Sequence, residues 1–101
     1  MKPLVLDTSV LVEYIIKRSP HRETVSNLLE KASLGELDIY ITTLTLSELL
    51  YITSRIYAIA GLENPNREAL DYLEWIKQRT RTINITEEIA IQAGELKNTS
   101  T

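Results

Sequence analysis

Two carboxylates in this sequence stand where a strand-like run hands over to a helix. Asp7 closes the apolar run Leu4-Val5-Leu6 and is followed by Thr8-Ser9 and a second apolar stretch, Val10-Leu11-Val12. Glu48 follows a second strand-like run, Asp38-Ile39-Tyr40-Ile41-Thr42, within Thr43-Leu44-Thr45-Leu46-Ser47-Glu48-Leu49. If the two strands are parallel, both acids lie at the carboxyl end of one sheet. That crevice is where open α/β sheets collect ligands and catalytic groups. Close carboxylates repel unless one is protonated or a cation lies between them. Oxygen ligands with no His or Cys beside them select a hard cation, Mg²⁺ or Mn²⁺. Such ions suit phosphodiester hydrolysis, where they activate water and stabilise the leaving oxygen.

Each acid also has a plainer reading. Asp, Ser and Thr in a row before an apolar helix form a capping signature, so Asp7 fits a helix N-cap. Thr45-x-x-Glu48 fits a capping box, with Glu48 reaching back to an unpaired backbone N–H. Capping or local backbone hydrogen bonding also accounts for Thr8 and Ser9. His21 is the single histidine and reads as a solvated residue in a helix's first turn. Trp75 and the tyrosines have helical or strand spacing and read as core or interface residues. The 3 glycines, Gly35, Gly61 and Gly94, are too few and too scattered for a phosphate loop. No nucleophile–base–orienter set is visible.

The elements that must position the acids follow from hydrophobic period and breakers. A strand over 4–6 leads into a helix from residue 9 or 10 to about 17. Ser19-Pro20 reads as an N-cap followed by proline at the first helical position. The helix after it carries Val25, Leu28, Leu29 and Ala32 and stops at Gly35. A strand over 38–42 precedes a long helix over 45–60 that ends at Gly61. Its stripe is Leu49, Ile52, Ile56 and Ile59, widened by Leu46, Leu50 and Tyr57. Asn64-Pro65 opens another helix with Leu70, Leu73 and Ile76 inward. A short strand over 81–85 follows. A last helix begins at Thr86-Glu87-Glu88 and carries Ile89, Ala90, Ala93 and Leu96. The order β-α-α-β-α-α-β-α implies an α/β fold with a parallel sheet and right-handed crossovers.

With 101 residues the chain fits one small domain. Its net charge of −3 gives no general support for nucleic-acid binding, which usually leaves a basic footprint. Bound metal would reverse the local field around clustered acids. Lys17, Arg18 and Arg22, and Lys77, Arg79 and Arg81, read as solvated rims. No apolar run approaches a membrane span. Met1-Lys2-Pro3 enters the first strand directly, which argues against a signal peptide. The absence of cysteine suits a reducing cytoplasm.

Taken together, these strings resemble a known family. Leu4-Val5-Leu6-Asp7-Thr8-Ser9-Val10-Leu11 resembles the opening of PIN domains. Thr45-Leu46-Ser47-Glu48-Leu49-Leu50 resembles the family's second acidic motif. Ile89-Ala90-Ile91-Gln92-Ala93-Gly94-Glu95-Leu96-Lys97 resembles the helix before its third. The subgroup most similar is the virulence-associated protein C type, toxins of toxin–antitoxin pairs. The resemblance implies a PIN-like three-layer α/β fold and a metal-dependent ribonuclease. It implies that Asp7 and Glu48 match the first two metal-site acids and Ser9 a hydroxyl that supports the site. It implies Mg²⁺ or Mn²⁺ as cofactor. The implied partners are RNA as substrate, a cognate antitoxin and a second copy of the chain.

Family members continue into a third acid and two further strands, so residues 1–101 are expected to be the N-terminal portion of one PIN-like domain. Glu87, Glu88 and Glu95 match no catalytic position. Strand one is then expected at a sheet edge, favouring a dimer. A non-catalytic PIN-like remnant acting as an interaction module is the alternative. A two-carboxylate phosphatase fits less well, because Ser9 stands where an Asp-x-Asp motif needs its second acid.

Overall fold

The first strand, β1 (Pro3–Val5), hands over to helix α1 (Thr8–Ile15) in a computed structural model that describes residues 3–16 and 18–84. Helix α2 (Arg22–Ser33), strand β2 (Asp38–Thr42), helices α3 (Thr43–Ile59) and α4 (Pro65–Arg79) and strand β3 (Arg81–Ile83) follow. The three strands form one parallel sheet in the order β1-β2-β3. Two helices between successive strands give the chain length to return and start the next strand in the same direction. Leu4 sits opposite Ile39, and Tyr40 opposite Arg81. Pairing continues one residue past β1, where Leu6 N donates to Tyr40 O at 3.1 Å. Among the described residues β1 borders only β2. The helix expected from residue 86 lies outside the described residues.

Alternation decides which face of the sheet is covered. Ile39 and Ile41 are fully buried, whereas Asp38, Tyr40 and Thr42 between them are half-buried. In register with them, Leu6 is buried and Val5 is 61% exposed. The covered face meets Leu11 of α1, Val25 and Leu29 of α2, Leu49 of α3, and Tyr72, Leu73 and Ile76 of α4 in one core. Each such side chain contributes roughly 1.5–3 kcal/mol on burial.

Two expected stripes rotate. On α4 the inward set is Ala69, Tyr72, Leu73 and Ile76, and Leu70 is 49% exposed. Residue 70 follows 69 by about 100° of helix rotation, which carries it off that face. On α3 the buried seam is Thr45, Leu49 and Thr53. Ile59 is 83% exposed, lying about 240° round the helix from Thr53.

The breakers act as expected at Gly35 and Gly61, whose φ of 77° and 84° only glycine adopts without strain. Gly35 N bonds Ala32 O and Glu36 N bonds Lys31 O, closing α2 in a Schellman turn. Gly61 and Leu62 repeat the pattern on Ala58 and Tyr57 at the end of α3. Pro65 opens α4. Ser19 differs from expectation: α2 begins at Arg22, and Ser19 Oγ accepts from His21 N at 3.2 Å, capping the turn before the helix.

An aromatic stack fixes α1 against α2 and α4. Tyr14 lies 5.0 Å from Trp75 and 5.8 Å from Tyr72, centroid to centroid. Arg22 lies over Tyr14 and donates to its carbonyl at 2.8 Å, and Arg79 lies over Trp75 at 3.9 Å. Tyr72 Oη donates to Leu11 O at 2.7 Å in the core. Burial, with Tyr57 and Tyr14 nearby, holds the Tyr72 hydroxyl protonated far above the ordinary tyrosine value. The folded chain therefore keeps this proton after the unfolded chain has lost it. Stability from Tyr72 is complete below about pH 10 and declines as pH rises beyond it. Tyr72→Phe is expected to cost about 1 kcal/mol at neutral pH and to flatten the alkaline decline. Urea denaturation at pH 7 and pH 11 reads both effects, and an unchanged alkaline slope would contradict the assignment to Tyr72.

Candidate functional site

Asp7 occupies the short step between β1 and α1. Its backbone is extended, with φ −94° and ψ 176°, the conformation of an N-cap. Its Oδ1 accepts from Val10 N at 3.1 Å and from Ser9 Oγ at 2.7 Å. Capping is thus part of what Asp7 does, and Ser9 orients the same carboxylate.

At the second step no residue separates β2 from α3. Thr42 is the N-cap: its Oγ1 accepts from Thr45 N at 3.1 Å and also meets Thr45 Oγ1 at 3.0 Å. The helix therefore starts two residues earlier than expected, and the capping box of Thr45 and Glu48 does not form. Thr45 is buried and committed to Thr42, which leaves Glu48 a turn farther into the helix. There Glu48 Oε2 accepts from Thr8 Oγ1 at 3.4 Å, across 40 residues of sequence.

Thr8 follows Asp7 directly, so this bond joins the two strand-to-helix steps. Asp7, Ser9 and Glu48 share the carboxyl end of the parallel sheet: Ser9 touches Asp7, and Glu48 touches Asp7's neighbour. The residue that sequence reasoning passed over is Thr8. It is buried, and a buried hydroxyl needs a partner. The available signal was a β-branched hydroxyl between an acid and the apolar face of an amphipathic helix. Thr8→Val removes the hydroxyl at nearly constant shape. If Thr8 positions Glu48, Mn²⁺ affinity is expected to fall severalfold with the melting temperature nearly unchanged. Equal affinity in calorimetric titrations of Thr8→Val and the parent would remove Thr8 from the site.

The donor set suits a hard cation, since every candidate ligand atom is oxygen. Among the described residues no cluster of three or more His, Cys, Asp or Glu surrounds it. Glu87, Glu88 and Glu95 lie outside the described residues. Asp7 and Glu48 are the two acids at this end that the sequence singled out. His21 makes no contact with Glu48 among the described bonds and lines, with Ser9, Val10, Glu13 and Val25, a pocket of about 230 Å³.

Asp7 and Glu48 thus stand beyond the strand ends of a parallel α/β sheet, where such folds collect ligands and catalytic groups. The chain matches the PIN domain family over residues 4–100 and belongs to it. Domains of this family are of nuclease type and generally use divalent metal ions. No curated protein and no solved structure matched the chain. Among the described residues no helix is long and apolar enough to cross a membrane.

Proposed function

We propose that this chain is a metal-dependent endoribonuclease of the virulence-associated protein C type, the toxin of a cytoplasmic toxin–antitoxin pair. The observation that carries the reading is the Thr8–Glu48 hydrogen bond, which draws the second acid to the residue beside the first. In this reading Asp7 and Glu48 hold Mg²⁺ or Mn²⁺, and Ser9 fixes the rotamer of Asp7 through its 2.7 Å bond. When bound, the ion supplies Lewis-acid stabilisation of a phosphodiester and a nucleophilic water at neutral pH. The protein's own part is to hold one carboxylate at the start of α1 and the other in the second turn of α3, in fixed directions that cost no reorganisation during reaction.

The α3 and α4 helices are the proposed contacts for a cognate antitoxin and a second copy of the chain. Leu44, Tyr51 and Ile59 of α3 and Leu70 of α4 are exposed apolar residues that support this. A non-catalytic interaction module is the second reading. It is favoured by the exposed apolar residues Leu44, Tyr51 and Ile59 along α3, which suit a protein contact.

Incubating the chain with single-stranded RNA and Mn²⁺ tests between the two. Two carboxylates hold an ion loosely, so slow cleavage that is lost in EDTA and in Asp7→Asn is expected. Cleavage that survives Asp7→Asn would contradict the proposed site. No cleavage at any protein concentration would favour the interaction module.

A further inference from the structure

We infer that the pocket between α1 and α2 is a slot for a guanine base of single-stranded RNA. The inference rests on the ribonuclease reading for the identity of the polymer, and adds base recognition to it. The pocket, about 230 Å³, is lined by Ser9, Val10 and Glu13 of α1 and by His21 and Val25 at the start of α2. Ser9 belongs to both places: it lines the slot and donates to Asp7 Oδ1 at 2.7 Å. A base held here therefore lies one side chain from the Asp7 carboxylate.

Size limits the occupant. Drug-sized ligands occupy clefts of roughly 300–1,000 Å³; this open depression is smaller and holds one ring system, with the sugar and phosphate left outside it. Its wall is apolar: Val25 is buried, Val10 is half-buried, and both belong to the hydrophobic core or pack against it. Such a wall accepts the flat face of a base. The exposed His21 ring is a side chain of the type on which unstacked RNA bases stack. A phosphate is the wrong occupant, because Glu13 would repel it.

Glu13 chooses among the bases. A carboxylate only accepts, through two adjacent oxygens. Guanine offers two adjacent donors on its Watson–Crick edge, N1–H and the N2 amino group, and matches both oxygens. Adenine and cytosine set one amino group beside a ring nitrogen that repels the second oxygen. Uracil sets one N–H between two carbonyls. Among the described residues neither the Glu13 carboxylate nor the His21 ring bonds to another residue, so a base displaces no existing described contact.

Fluorescence anisotropy with labelled UUGUU, UUAUU, UUCUU and UUUUU in EDTA tests the slot. UUGUU is expected to bind the chain about tenfold more tightly than the other three. Glu13→Gln is expected to erase that preference, and His21→Ala to weaken UUGUU binding severalfold. Circular dichroism melts of both variants check that the fold is kept. Equal binding of all four RNAs, absence of RNA binding, or a guanine preference that survives Glu13→Gln would overturn the inference. Because EDTA removes metal, these outcomes are independent of ion binding at Asp7 and Glu48, which Mn²⁺ titration reads separately.

Discussion

Leu49→Ala is expected to lower the stability of the fold by about 2–5 kcal/mol. Leu49 is fully buried and sits where α3 meets the covered face of the sheet, in the cluster with Leu11, Ile41 and Ile76. Removing three carbons there loses their transfer free energy and leaves a cavity that packed neighbours cannot close. Domains of this size are stable by only about 5–15 kcal/mol in total, so the loss is a large fraction of the whole. The same truncation at Leu70 is expected to cost under about 1 kcal/mol, since that residue is 49% exposed. Urea denaturation of both variants measures the contrast. Comparable losses at positions 49 and 70 would mean that α4 packs with a different face from the one described.

The contrast also marks where the sequence stops being readable. Strand β2 was legible to the residue, because Asp38 and the Thr42–Thr43 step bound a β-branched and aromatic run whose alternation is unambiguous. Gly35, Gly61 and Pro65 located three helix ends, because each fits a backbone geometry that other residues adopt at a cost. The start of α3 was not legible. Thr42, Thr43 and Thr45 can all cap a helix, and the choice depends on where β2 stops pairing with its neighbours. That choice decides whether Glu48 serves the helix's own N–H groups or turns toward α1.

The rotation of Leu70 was likewise hidden. Leu70 and Leu73 lie three apart and fit one stripe, but Ala69, Tyr72, Leu73 and Ile76 fit it better once Tyr72 finds the Leu11 carbonyl. The placement of Asp7 and Glu48 at strand-to-helix steps was legible in the sequence. The link between them was not, since nothing local to Thr8 announces a partner 40 residues away.

In the proposed function Asp7 and Glu48 serve one ion. Carboxylates that share a cation each contribute to a site that weakens when either is removed, whereas two independent caps would not respond to metal at all. Mg²⁺ retains several of its waters even in good sites, so affinity is expected to be modest, and Mn²⁺ is the better probe. Isothermal titration of Mn²⁺ into the parent chain, Asp7→Asn, Glu48→Gln and the double variant is the most direct test. The expected result is a drop of at least about tenfold, or 1.4 kcal/mol, for each single variant. The double variant should bind more weakly than either single one but lose less than the two single losses added, because the two carboxylates act on one ion. Superimposable curves for the parent and the single variants would contradict the shared site and leave Asp7 as a helix cap and Glu48 as a surface acid.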